Sequence, residues 1–272
     1  MYKRQAPHWA AVEKRLSIRD WPEASANANN QILFKGCREL GWNVNPMRRN
    51  VNGCVNSGYC GLGCPVDGKQ GMAITYIRDA VAAGARVFTG VKAHKLHMEA
   101  GRVRRIEARV LDPVREMPTG EAIEVEAKIT VSSGGAVGSP SLLLRSGLNH
   151  NGRVGRRVWM HPVVGGPAVY PHRIDGYYGA PQSASSHQFM ERGDGKMGWF
   201  LETPPLQPML IASSTRMMGN ELATFAGKLP YMGAQIALVR DGLLPEEEGA
   251  TVSLRSDGRA VSYTHLTLPT KA

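Results

Sequence analysis

Apolar residues recur at helical spacing in some stretches of the chain and alternate with polar ones in others. Between residues 23 and 40, Ile32, Leu33, Cys37 and Leu40 fall on one helical face, and Gly41 supplies a stop. Residues 69–83 place Met72, Tyr76, Ile77, Ala80 and Val81 on one face ahead of Gly84. Residues 6–20 read as a short surface helix or an entry segment, broken at Trp21-Pro22. Residues 92–98, 103–111 and 121–127 alternate as the strands of an antiparallel meander, with turns at Ala100-Gly101 and at residues 118–120. Residues 86–90 and 128–132 read as strands flanking that meander.

Residues 131–148, VSSGGAVGSPSLLLRSGL, read as strand end, glycine turn and helix. Ser139 is expected at the N-cap and Pro140 at the first helical position, with Gly147 ending the helix. A helix start behind a Gly-Gly turn offers free N–H groups to an anion or a polar ring edge. After Gly155 the pattern changes. Residues 158–170, 182–189, 198–202 and 208–213 suggest an antiparallel sheet with long polar connections; residues 221–229 look helical, and 235–239 and 250–254 look like strands. The order of elements predicts a mixed α/β (α+β) chain. Its first part is a partial dinucleotide-binding fold with an inserted antiparallel β-meander, and its second is part of an antiparallel-sheet, substrate-facing domain. The domain spans expected are residues 6–155 and 156–260.

Composition narrows the class. In 272 residues the apolar fraction is 42% and the charged fraction 21%, enough for a core and against disorder. No apolar run approaches the roughly 18 residues that span a bilayer. The net charge is +10, yet Lys and Arg are scattered without an aromatic stripe, so no nucleic-acid partner is expected. Membrane association is left open. Four cysteines, Cys37, Cys54, Cys60 and Cys64, do not make a secreted disulfide framework and fit a reducing compartment; a cytoplasmic location is the expectation.

The loop from Gly53 to Gly68 holds three of those cysteines and five glycines. Such a loop is costly in backbone entropy and points to close approach to a cofactor, a metal or a neighbouring backbone. Cys54, Cys60 and Cys64 fit three readings: packed thiols, thiolate ligands of an iron–sulfur cluster, or a redox or zinc site. Gly61-Leu62-Gly63 and Gly134-Gly135 both miss the G-x-G-x-x-G spacing. Among the histidines, His161, ahead of Pro162, is the candidate to line an active site, against a structural reading; His265 lies in the C-terminal tail.

Taken together, GGAVGSPSLLLRSGL and CGLGCPVDGKQGMAITYIRDAVAAGARVFTG resemble the glucose–methanol–choline (GMC) family of flavin oxidoreductases, in particular its long-chain alcohol oxidase branch. VGRRVWMHPVV and FLETPPLQP are similar to that branch too. The match departs at Asn149, where the signature usually ends in glycine, and at Val66-Asp67, which adds a residue before Gly68. The resemblance implies FAD as cofactor and oxidation of an apolar or long-chain alcohol to an aldehyde or ketone, with oxygen, a quinone or a cytochrome as acceptor. It implies that Ala93 lies on the strand whose backbone meets the adenine, and that Gly134, Gly135, Ala136 and Ser139 lie near the flavin nucleotide. It also leaves two rivals: a sterol or sugar-alcohol dehydrogenase of the same family with a cluster on the cysteines, and a non-enzymatic cysteine-loop module.

Residues 1–5, MYKRQ, and 261–270, VSYTHLTLPT, read as translations of a transposon end and adapter used in shotgun sequencing libraries. Residues 1–5 and 261–272 are therefore expected to be artefacts, and the rest an internal fragment. The G-x-G-x-x-G strand and the catalytic histidine of the family would then lie outside it, and the chain alone is expected neither to hold FAD tightly nor to turn over alcohol.

Overall fold

The computed structural model describes residues 2–193, 196–242 and 248–263. Residues 264–272, which include His265 and most of the C-terminal adapter-like stretch, lie outside the described residues. In chain order the first elements are α1 (Tyr2–Arg15), β1 (Ile18–Asp20), α2 (Ala28–Glu39), β2 (Asn45–Pro46) and β3 (Arg48–Asn50). A wide helical turn at Ala73–Ile77 runs into α3 (Arg78–Ala82), followed by β4 (Val91–Glu99), β5 (Arg102–Leu111), β6 (Pro118–Glu126) and α4 (Gly135–Arg145). Then come β7 (Val163–Val169), β8 (Ala184–Ser186), β9 (Trp199–Glu202), α5 (Pro208–Ser214), α6 (Gly219–Lys228), β10 (Met232–Val239), β11 (Thr251–Leu254) and β12 (Ala260–Tyr263). The N-terminal residues from Tyr2 continue into α1, and Val261–Tyr263 pair with β11, so both adapter-like ends contribute to described elements.

The chain divides into two compact units, each assembled from two stretches of sequence: residues up to Ala85 with His161–Arg240, and Arg86–Met160 with the residues from Asp241 onward. The first unit carries the antiparallel sheet β2-β8-β9-β10-β7 and the small β1-β3 pair. α2 lies against that sheet. Its apolar face, Leu33, Phe34 and Cys37, is buried with Ala26 and Ala184 and is flanked by Trp42, Val44 and Leu201. A second cluster joins Leu206, Leu229, Met232 and Ala234.

The helix start of α2 organises this unit. Asn27 caps it, its side chain accepting from the Asn30 N–H at 3.0 Å. The Asn30 side chain is fully buried. Its Oδ1 accepts from the Ser183 and Ala184 N–H groups at 2.9 and 3.0 Å and from the Thr203 hydroxyl, while Nδ2 donates to Asn27 Oδ1 and Ala180 O. Asn29 Oδ1 accepts from the Ala234 N–H at 2.9 Å. Three separate segments are thus tied to one helical turn.

The second unit holds the meander β4-β5-β6, α4 and the β11-β12 hairpin. Leu96 and Ala108 are buried on the meander, and Val252 on β11. Ser146 joins α4 to the meander, its hydroxyl accepting from the Leu96 N–H at 2.8 Å.

Several expectations are corrected. The stretches 86–90 and 128–132 are not strands: the Leu111 N–H reaches Gly90 O at 2.7 Å at the edge of β4, but no ladder is described along either stretch, and Val87, Phe88, Ile129 and Val131 are exposed. Residues 118–120 are part of β6, and the turn falls at 112–117, where the Asp112 carboxylate accepts from the Val114 and Arg115 N–H groups. Residues 208–213 form α5, because Pro208 presets the first helical φ and the Gln207 side chain accepts from the Met209 and Leu210 N–H groups. Met72, Tyr76, Ile77 and Val81, the expected buried face, are exposed, and the buried residue of that turn is Thr75, whose hydroxyl donates to Gly71 O at 2.7 Å.

Replacing Asn30 by Ala would strip two buried N–H groups and a hydroxyl of their acceptor, at about 1–3 kcal/mol for each group left unpaired. Asn30→Ala is therefore expected to lower the urea midpoint by the equivalent of at least about 3 kcal/mol, whereas Glu23→Gln, which breaks the exposed Arg38 pair, should cost under about 1 kcal/mol.

Candidate functional site

Two places carry the chemistry suggested by the sequence, one in each unit. In the second unit α4 begins at Gly135, four residues ahead of the expected Ser139 N-cap. The cause is the glycine pair. Gly135 takes φ +74°, in the left-handed region, and a Cβ on Gly134 would stand 3.0 Å from the Ser139 nitrogen. The backbone closes its first helical turn on itself there, which places Ser139 and Pro140 inside the helix. Pro140 has no N–H, so the Ala136 carbonyl lacks its i+4 donor. Among the described residues no side chain caps the N-terminus, and Gly134, Gly135 and Ala136 are exposed. The result is an open helix start with free N–H groups and a free carbonyl, a fit for a flat heteroaromatic group with acceptors and donors on its edge.

Ala93 lies on β4 opposite Ala108, beside a bulge at His94. The other end of α4 reaches this point: Arg145 Nε donates to His94 O at 3.0 Å. Ala93 and the glycine turn are therefore set at opposite ends of an 11-residue helix, about 15 Å apart at the usual helical rise. A ligand touching both must be long, as a dinucleotide is. The exposed backbone at Ala93, Gly134, Gly135 and Ala136 suits such a ligand, of which FAD is one. Ser139 lies one turn further in and is half-buried.

Around Ala93 the surface is basic. Arg109 Nη2 lies 2.8 Å from His94 Nε2, and Lys92 pairs with Arg109 across the strands. Burial pushes the His94 pKa down; Arg109 lowers it further, Glu107 opposes, and Arg145 and Lys92 add to the lowering.

In the first unit the cysteine loop is explained by backbone packing. A Cβ on Gly58, at φ +76°, would overlap the Tyr177 carbonyl oxygen at 1.8 Å. The Gly179 N–H donates to Asn56 O at 2.8 Å, and the Asn52 N–H to Gly68 O at 2.8 Å. The close approach that the glycines signalled is therefore to the 177–179 backbone. The three thiols have different neighbours. Cys54 Sγ lies by Asn56, Arg49 Nη2 lies 3.8 Å from Cys60 Sγ, and the backbone N–H groups of Lys69, Val66 and Gly68 hold the Cys64 thiol below its usual range, against an opposing effect of burial. Among the described residues no group of three or more His, Cys, Asp or Glu side chains is arranged for a metal, so Cys54, Cys60 and Cys64 are not gathered into a ligand set. Burial pushes the Cys37 thiol up.

His161 is exposed and packs beside Phe200, with ring centroids 5.8 Å apart; His187 flanks the same ring at 5.2 Å. The pairing of His161 with His187 around one phenyl ring was not visible in sequence. Also missed was a cavity of about 320 Å³ in the first unit lined by Arg49, Cys60, Lys69, Gln182 and Glu202. No local pattern marks it, because its lining is drawn from segments far apart in the chain.

Residues 1–163 match the GMC oxidoreductase family. Over 244 residues the chain is 29% identical to an uncharacterized GMC-type oxidoreductase of Mycobacterium tuberculosis, covering 89% of this chain and 37% of that protein. It is 32% identical to a long-chain-alcohol oxidase of Arabidopsis thaliana over 244 residues, 85% of this chain and 32% of that one. A second Arabidopsis long-chain-alcohol oxidase is 29% identical over 83% of this chain and 31% of its own length. The chain spans about a third of the length of the curated relatives it matches.

Two outcomes follow from the geometry. The usual histidine pKa is about 6.5, and folding lowers that of His94, so the unfolded chain takes up this proton first. Stability from His94 is complete above about pH 6.5 and falls as the pH drops below it; urea melts at pH 7.5 and pH 5.5 should show His94→Gln losing less stability than the parent. On limited alkylation followed by mass spectrometry, Cys64 should label ahead of Cys37, by about tenfold or more.

Proposed function

The chain belongs to the GMC oxidoreductase family, and on that premise we propose that it forms the flavin-contacting part of an FAD-dependent alcohol oxidoreductase whose substrates are long-chain or otherwise apolar alcohols. FAD is the cofactor expected of this domain. The observation that carries the reading is the open glycine start of α4, set a helix length from Ala93. Bound FAD supplies the hydride acceptor for a CH–OH donor. The residues of this chain do the holding. Gly134 and Gly135 let the backbone come close, the first N–H groups of α4 face electron-rich edges, the Ala136 carbonyl accepts, and Ala93 presents strand backbone to the far end of the cofactor.

The substrate class rests on the named relatives, which are long-chain-alcohol oxidases at 29–32% identity. Molecular oxygen is the acceptor that fits an oxidase. The separate settings of Cys54, Cys60 and Cys64 favour this over a cluster-bearing dehydrogenase. His161 is proposed as a lining residue only, since its contact is with Phe200 and, among the described residues, no hydrogen bond orients its ring for proton transfer.

The test is the complete protein, purified and assayed for bound flavin absorbance and for oxygen uptake with alcohols of rising chain length. Flavin should co-purify, and rates should rise from ethanol to alcohols of about ten carbons or more, each buried methylene contributing about 0.8 kcal/mol. Gly135→Val should weaken flavin retention, because a β-branched residue resists the left-handed φ. Flavin-free protein, or an alcohol-independent flavin, would overturn the reading.

A further inference from the structure

The cavity of about 320 Å³ in the first unit holds charges that the rest of the unit does not balance. Arg48, on its rim, is taken up by Glu13 at 2.6 Å and Asp20 at 3.5 Å. Arg49 is different. One guanidinium nitrogen donates to the Pro181 and Gln182 carbonyls, another approaches Cys60 Sγ, and Nε is buried with no hydrogen-bond partner among the described residues. Lys69 Nζ donates to Cys60 O at 2.9 Å and keeps two further N–H groups. Glu202 is 7% exposed and lines the same cavity, with Gln182 Nε2 donating to its Oε2 at 2.9 Å. Among the described residues neither Arg49 nor Lys69 has a carboxylate within 4 Å, and Glu202 has no cation.

The local balance is two cations against one carboxylate, which calls for one negative charge. A simple carboxylate would bring that charge towards Glu202, which is buried, and like charges repel more where one of them is desolvated. A hydroxyl on the ligand removes the conflict by donating to the Glu202 carboxylate as a short charge-assisted hydrogen bond. We propose that this cavity binds a small hydroxycarboxylate: its carboxylate on Arg49 Nη2, the guanidinium nitrogen beside Cys60, and on Lys69 Nζ, its hydroxyl on Glu202. The argument uses only residues of the first unit and stands apart from the flavin reading.

Cys60 lines the cavity, so its alkylation by iodoacetamide reports occupancy, with Cys54 as an internal reference. The probe is glycolate, compared with acetate, which lacks the hydroxyl, and ethylene glycol, which lacks the charge. At about ten times its dissociation constant, glycolate should slow Cys60 labelling about tenfold and leave Cys54 unchanged. Acetate should need a higher concentration, and ethylene glycol should not protect. Glu202→Gln keeps the Gln182 contact and should abolish the advantage of glycolate over acetate. Lys69→Gln should weaken both anions. Line broadening of the glycolate methylene signal on adding protein gives a second readout, expected for the parent and reduced in Lys69→Gln. The proposal is overturned if glycolate leaves both Cys60 labelling and its own line width unchanged, if it slows Cys54 equally, or if ethylene glycol protects as well.

Discussion

One buried carboxamide determines how the first unit is put together. Asn30 has a single acceptor oxygen, and three donors from two separate segments converge on it. None of those donors has access to water, so the geometry of α2, the 180–184 strand entry and Thr203 is fixed jointly. The apolar face of α2 supplies the burial energy, but Leu33 and Phe34 are tolerant of small shifts. The amide is not, because a hydrogen bond weakens steeply with angle. The cap at Asn27 belongs to the same arrangement, as its oxygen serves both the Asn30 backbone and the Asn30 side chain.

The sequence disclosed what local rules decide. The helix over α2, its Gly41 stop and the β4-β5 turn follow from spacing and glycine placement alone, and the structure shows each of them. It was silent where a partner decides. Residues 86–90 have a strand composition, yet a strand exists only when another backbone completes a ladder of hydrogen bonds, and the described bond from the Leu111 N–H to Gly90 O touches only the last residue, beside β4. The reversal at 208–214 had a different origin: MLIAS suits either state, and the side chain of Gln207, an uncommon cap, settles it.

The candidate sites were legible in the same uneven way. Gly134 and Gly135 were singled out from sequence and turn out to be required by a tight approach and a left-handed φ, but the helix they start is longer at its front than a Ser-Pro pair suggests. Five glycines and three cysteines in one loop invited a metal, and the structure answers with the carbonyl of Tyr177. The family is clear from residues 1–163, and it assigns the cofactor where spacing alone gave two incomplete fingerprints. Charge imbalance in the Arg49–Glu202 cavity had no signal in the sequence, since its members lie up to 153 positions apart.

The interleaving of the two units has a consequence for synthesis. The donors that satisfy Asn30 lie 153 to 173 residues further along the chain. At about 5–20 residues per second a ribosome takes on the order of ten seconds or more to deliver them. During that interval the first 85 residues, with α2 and its apolar face, have emerged without their sheet, while the residues of the other unit are being made. Until the sheet arrives, the apolar face of α2 has nothing of its own unit to cover it, and a holdase chaperone is the kind of factor that would shield it.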